Sequence, residues 1–257
     1  MAPQDILTVL RDQNPLVHCI TNYVAMNIAA NVVLAAGASP AMVHAPEEIP
    51  EFTPICGALT INIGTLSSDW LASMTTAATV AGAHNIPWVL DPVAHFISDY
   101  RKAAAQDLLA LRPTIIRGNA SEILALAGQS GAGKGADSGD SVDAAQSAAH
   151  ALATQWGAVV AVTGPVDYVT DGTQTAQVSG GSPLMPKITA LGCSQTALMG
   201  AYCASGPAFQ AALGALAHFK VAGTAAAKVA NGPGSFQMHF LDALTSTRPQ
   251  DLAQVIA

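Results

Sequence analysis

The stretch ITALGCSQTALMGAY, Ile188 to Tyr202, sets Gly192 and Cys193 at the start of an Ala-rich run with helical spacing. A glycine there lets the backbone approach a ligand closely. Amides left unpaired at a helix start offer donors and partial positive charge to a phosphate, and a thiol in the same field would be partly ionised. Position alone leaves Cys193 open as a covalent nucleophile, a general base, a metal ligand or a packing group. Cys19, Cys56 and Cys203 lie far apart, with no C-x-x-C pair and no histidine at zinc-ligand spacing. They read as small buried hydrophobes, and neither a zinc site nor a disulfide framework is expected.

Other chemistry-bearing residues close short apolar runs: Asn22 in HCITNYV, Asp91 in VLDPV, Arg117, Asn119 and Glu122 in IIRGNASEI, and Thr163 in AVTGPV. A guanidinium pairs with phosphate oxygens, and a hydroxyl at a strand end can donate to one. Taken singly, each has an ordinary role: a helix cap for Asn22, a turn former before Pro92 for Asp91, an exposed helix acid for Glu122, and a surface or capping role for Arg117 and Thr163. The stretch GQSGAGKGADSG, Gly128 to Gly139, has G-x-x-x-x-G-K spacing at Gly128, Gly133 and Lys134. Gly135 stands where a P-loop needs Ser or Thr for magnesium, and a helical pattern precedes it instead of a strand. It reads as a surface loop.

The elements that must position these residues alternate along the chain. Strands are expected at Leu16 to Ile20, Pro40 to Val43, Ala58 to Ile63, Trp88 to Asp91, Thr114 to Arg117 and Val159 to Thr163. Helical patterns lie at Tyr23 to Ala36, Ser68 to His84, Arg101 to Leu111, Ala120 to Ala127 and Val142 to Trp156. The repeated strand-then-helix order implies an α/β fold with a mainly parallel central sheet and helices on both faces. Asp171-Gly172 marks a hairpin between Val166 to Thr170 and Gln174 to Val178. After Cys193 the chain reads as helical. In such sheets a ligand binds beyond the carboxyl ends of the strands, where the polar residues above are found.

With 257 residues, 51% hydrophobic and 11% charged, the chain fits one domain spanning 1–257. A net charge of -7 without a Lys/Arg cluster argues against nucleic acid or an anionic membrane as the main partner and for a small molecule. The most apolar long stretch, Val24 to Ala38, contains Asn27 and Asn31 and is too short to span a bilayer. The N-terminal residues have the spacing of an amphipathic helix, not of a signal peptide, and a cytoplasmic protein is expected.

The blocks HCITNYVAMNIAANVVLAAGASPAMVHAPEE, LTINIGTL, VLDPV, IIRGNASEI, AVTGPVDYV, ALGCS and GPGSFQ resemble, in order and rough spacing, those of the hydroxyethylthiazole kinases over nearly the whole chain. The resemblance implies a ribokinase-like fold, a homotrimer with active sites between subunits, and transfer of the ATP γ-phosphate, with Mg2+, to the primary alcohol of 4-methyl-5-(2-hydroxyethyl)thiazole in thiamine salvage. It further implies that Met42 and Gly192 contact the thiazole, that Asn22 walls the same pocket, and that Arg117 and Thr163 contact ATP. Met42 by itself would read as a core gap-filler. Asn119 and Glu122 match the N-x-x-E of ribokinase-like enzymes, in which the acid helps hold magnesium, with Asp91 as a second acid. Cys193 falls where most such kinases carry the Asp facing the acceptor hydroxyl, which makes it a candidate weak base. Two departures from the family pattern, Ala190-Leu191 before Gly192 and Ala94 to Ile97 after DPV, bear on phosphate-loop geometry and substrate identity. The rival readings are a kinase for another small heterocyclic alcohol, a non-catalytic binding protein, and a hydrolase with Cys193 as nucleophile and His18, His44 or His95 as its base.

Overall fold

The computed structural model describes residues 1–129 and 141–257. Gly133 and Lys134 of the glycine-rich stretch lie outside the described residues. Strands β1 (Leu16–Ile20), β2 (Ser39–Ala41), β3 (Ala58–Asn62), β4 (Trp88–Asp91), β5 (Ile115–Asn119), β6 (Val159–Thr163), β7 (Asp167–Thr170) and β8 (Thr175–Val178) form one sheet in the order β2-β1-β3-β4-β5-β6-β7-β8. All pairs from β2 to β6 are parallel, and β7 and β8 add an antiparallel edge. Between and after them run helices α1 (Pro3–Gln13), α2 (Met26–Ala36), α3 (Ile49–Phe52), α4 (Ser68–Ala83), α5 (Asp99–Ala110), α6 (Ala120–Leu126), α7 (Val142–Trp156), α8 (Leu191–Cys203), α9 (Ala208–Ala227), α10 (Pro233–Ser246) and α11 (Pro249–Leu252).

Strands covered on both faces are apolar almost throughout, so parity along each strand decides which core a residue joins. Ala58, Val89, Ile115 and Ala161 enter the core with α1, α2, α8, α9 and α10, whereas Leu59, Leu90, Ile116 and Val162 enter the core with α4 to α7. An even number of residues beyond the first set stand Asn62, Asp91, Arg117 and Thr163. These four polar side chains therefore share the α8 face at the carboxyl ends of neighbouring strands β3 to β6. Helix α8 is buried on nearly every side. Its Gly200 lies against Thr60, and a Cβ there would overlap the threonine methyl, so glycine lets the helix sit close on the sheet.

Several boundaries differ from the sequence expectation, and three of them bear on the site. Helix α2 begins at Met26, not Tyr23, because Asn22 to Ala25 form a turn in which Ala25 N donates to both Asn22 O and Asn22 Oδ1. Strand β2 ends at Ala41; Val43 O accepts from the His18 ring in place of a ladder bond. Strand β5 continues to Asn119, paired with Thr163, which makes Arg117 a mid-strand residue. The Asp171-Gly172 hairpin is present, with Asp171 Oδ1 accepting from the amides of Thr173 and Gln174. Among the described residues no helix is long and apolar enough to cross a membrane.

Candidate active site

Asp91 is the hub of the strand-end array. Fully buried, its Oδ2 accepts from Thr196 Oγ1 at 2.6 Å, Asn62 Nδ2 at 2.7 Å and Arg117 Nη1 at 3.3 Å. Among the described residues its Oδ1 has no partner. Burial raises the Asp91 pKa, opposed chiefly by the Arg117 guanidinium. The other arm of that guanidinium, Nη2, donates to Thr163 Oγ1 at 2.9 Å and Gln195 Oε1 at 3.3 Å. Burial works against the Arg117 charge, but Asp91 and then Glu122 outweigh it and hold the group firmly protonated. A cavity of about 680 Å³ opens over these residues. Asp91, Arg117, Glu122, Gly192 and Cys193 line it together with Gly164, Pro165, Gly180, Gly181, Met185 and Phe219.

Glu122 is buried, not an exposed helix acid. It shares a capping box with Asn119 at the start of α6: Asn119 Oδ1 accepts from Glu122 N at 2.9 Å and Glu122 Oε2 accepts from Asn119 N at 2.8 Å. Glu122 Oε1 accepts from Ala94 N at 3.0 Å, so the departure after DPV supplies a backbone anchor to this acid. Burial, then the nearby Asp91, push the Glu122 pKa up to about 7. Two adjacent buried carboxylates lining one cavity, with Asp91 Oδ1 unpartnered, are a donor set that suits a divalent cation. Among the described residues no cluster of three or more His, Cys, Asp or Glu could hold a metal alone. The pair therefore matches magnesium, which completes its shell with water and phosphate oxygens.

At the start of α8, Leu191 N donates to Ile188 O and Ser194 N to Ala190 O, whereas the N–H groups of Gly192 and Cys193 have no partner among the described residues. These two amides are thus available to an anion, fewer than the helix start suggested. A Cβ on Gly192 would lie 3.2 Å from Arg117 Nη2, so glycine keeps the guanidinium and the helix end together. Ala190 occupies a left-handed conformation with φ 57°, and Leu191 points into the core. The expected partial ionisation of Cys193 is not found: burial, then Asp91, push its thiol pKa up to about 11. The half-buried thiol accepts from Asn22 Nδ2 at 3.4 Å, and that amide also donates to Asn62 Oδ1 at 2.8 Å.

The structure thus joins Asp91, Arg117, Thr163, Glu122, Gly192 and Cys193 around one cavity and attaches Asn22 to it through Cys193. Met42 is elsewhere, half-buried after β2 and packed against the core on the α8 side of the sheet. His18, His44 and His95 bond to Val43 O, Met42 O and Pro92 O, and among the described residues no histidine hydrogen-bonds to Cys193, so the hydrolase reading has no base. Cys19, Cys56 and Cys203 are buried free thiols, as expected. Sequence reasoning assigned no role to Asn62, Gln195, Thr196, Asp167 or Lys220. Asn62, closing LTIN, carried the same strand-end signal as Asp91; Gln195 and Thr196 stood two and three residues past Cys193 without a distinguishing pattern.

A family model for the hydroxyethylthiazole kinase family matches residues 7–250. The chain is 80% identical over 256 residues to a hydroxyethylthiazole kinase of Roseobacter denitrificans, covering 100% of both proteins. A hydroxyethylthiazole kinase structure from Pyrococcus horikoshii superposes with a TM-score of 0.92 at 36% identity, covering 99% of this chain and 97% of that one. A ribokinase-like superfamily protein from Enterococcus faecalis shares the fold, with a TM-score of 0.68 at 11% identity over 96% of this chain and 95% of that one.

Proposed function

The chain belongs to the hydroxyethylthiazole kinase family, and from that membership we propose that it transfers the γ-phosphate of ATP to the primary alcohol of 4-methyl-5-(2-hydroxyethyl)thiazole. A single domain over 1–257 and a place in thiamine salvage in the cytoplasm belong to the same reading. The observation that carries it is the Asp91–Arg117–Thr163 array under the two unpartnered amides of α8, a built phosphate site beside a thiol that faces the cavity.

In this reading the phosphates lie against the Gly192 and Cys193 amides and the Arg117 guanidinium, with Thr163 holding the guanidinium in place. Asp91 and Glu122 would hold Mg2+, which supplies positive charge to the phosphate oxygens. The alcohol oxygen forms a bond to the γ-phosphorus as the bond to the ADP oxygen breaks. Because the transition state is loose, positioning and charge dominate over base strength. A thiol with pKa about 11 is protonated at neutral pH, so Cys193 orients the hydroxyl as a hydrogen-bond partner, and the hydroxyl proton passes to a phosphoryl oxygen. Asn22 and Gly192 form the thiazole side within one subunit, and Met42, which lies away from this cavity, would reach the thiazole in a neighbouring subunit's site. The exposed Tyr23 and Val24 beside Asn22 support a homotrimer in which a second subunit completes that side.

An ADP-release assay with the thiazole alcohol, with and without magnesium, tests this. Alcohol- and magnesium-dependent ADP release is expected; release at one rate with and without the alcohol would overturn the assignment.

A further inference from the structure

A second buried ion pair, separate from Asp91 and Arg117, lies in the cavity wall. Lys220 of α9 is 5% exposed and Asp167, the first residue of β7, is 1% exposed. Lys220 Nζ lies 3.2 Å from Asp167 Oδ1 and donates to Gly164 O at 2.6 Å and Pro165 O at 3.0 Å. Asp167 Oδ1 also accepts from Gly164 N at 2.8 Å. An ammonium has three donors, and these partners use all of them, so Lys220 has none left for a ligand. What the pair holds is the Gly164–Pro165 turn, directly after the Thr163 that anchors Arg117.

The stem of the same lysine supports a second wall. Its methylenes lie under Gly180 and Gly181, where a Cβ on Gly181 would come 3.2 Å from Lys220 Cδ. One turn along α9, Thr224 Oγ1 accepts from Gly181 N at 2.9 Å. Gly164, Pro165, Gly180 and Gly181 all line the cavity that Asp91, Arg117 and Gly192 also line. Burying two charges is costly, and an apolar pair of similar volume would serve packing as well or better. What an apolar pair could not do is hold three backbone groups of one turn.

We infer that Lys220 and Asp167 are positioning residues for the nucleotide: their pair fixes the Gly164–Pro165 turn and the Gly180–Gly181 segment as the two walls that receive the nucleoside half of ATP. This rests on the kinase reading, which puts the phosphates against Gly192, Cys193 and Arg117 and leaves to the nucleoside the rest of the cavity, which Gly164, Pro165, Gly180 and Gly181 line. The thiazole side, across Cys193, does not depend on the pair.

The test compares Lys220→Met with the double variant Lys220→Met/Asp167→Asn, which leaves no lone buried charge. Thermal midpoint, KM for ATP, KM for the thiazole alcohol and Kd for a fluorescent mant-ATP probe are read for each. The double variant should recover much of the stability lost in Lys220→Met, yet keep KM for ATP and Kd for mant-ATP raised about tenfold or more by loss of the preset turn, with KM for the alcohol within about twofold of wild type. Nucleotide affinity that recovers together with the thermal midpoint, or both KM values rising alike, would overturn the inference. If the wild type binds mant-ATP but does not phosphorylate the alcohol, the kinase reading fails by itself; the pair is then judged on mant-ATP binding alone, and an unchanged Kd in the double variant overturns it.

Discussion

Replacing Arg117 by methionine keeps most of the apolar stem and removes the charge. In the folded protein the guanidinium donates to Asp91, Thr163 and Gln195, and under the proposed function it also pairs with a phosphate of ATP. A charge-assisted hydrogen bond contributes about 1.5 to 3 kcal/mol. At 1.4 kcal/mol per factor of ten, kcat/KM for ATP should fall about 12- to 150-fold. Breaking a buried pair by removing one partner costs about 3 to 5 kcal/mol when the other stays charged. Here Asp91, its pKa already raised by burial, can take up a proton, so the loss of stability should fall below that range. Arg117→Lys should recover only part of the activity, since an ammonium cannot engage Asp91, Thr163 and Gln195 with one planar fork. Steady-state kinetics with ATP and the alcohol varied separately, alongside thermal denaturation, give all the quantities. An ATP kcat/KM within twofold of wild type, or an equal rise in KM for the alcohol, would refute the phosphate role.

Cys193→Ala should keep measurable turnover, losing about a factor of 10² or less, and Cys193→Asp should do at least as well as alanine beside Arg117; a dead alanine variant with a phosphorylated cysteine trapped in the wild type would contradict this. Ala190→Gly should raise the thermal midpoint, since glycine relieves a left-handed residue by about 1 kcal/mol, worth about 2–4 °C at this size; a lower midpoint would show that the Ala190 methyl packs better than its backbone costs. His218, bonded to Tyr202 and to Leu244 O, has its pKa held down to about 4 by burial, from an ordinary 6.5. Above pH 6.5 neither state carries the proton. As pH falls toward 4 the unfolded chain binds it and the folded chain does not, so stability should drop by up to roughly 3 kcal/mol across that window. Urea midpoints for wild type and His218→Gln at pH 7 and 4.5 test this, and parallel pH dependence in the two would contradict it.

The strands were legible because buried parallel strands are short apolar runs closed by polar residues. β1, β4 and β6 match their sequence boundaries for that reason. Asp91, Arg117 and Thr163 stood out as the polar closers of such runs, and strand parity then carried them to one face. The partners on the covering helices were not legible. Thr196 meets Asp91 across 105 residues, and α8, buried on nearly all sides, has no polar face to mark which of its side chains matter. Lys220 is hidden for the same reason inside the apolar α9. The Cys193 thiol was misjudged because helix position favours its ionisation, while burial and Asp91, both products of the tertiary fold, oppose it more strongly.

In the proposed reaction this array hands the γ-phosphate of ATP to the alcohol oxygen. Phosphorus-31 NMR of the purified protein with magnesium, ATP and 4-methyl-5-(2-hydroxyethyl)thiazole follows that phosphorus directly. A phosphomonoester resonance growing in step with ADP, and absent without either the enzyme or the alcohol, is the predicted result; ADP accompanied only by inorganic phosphate would contradict it.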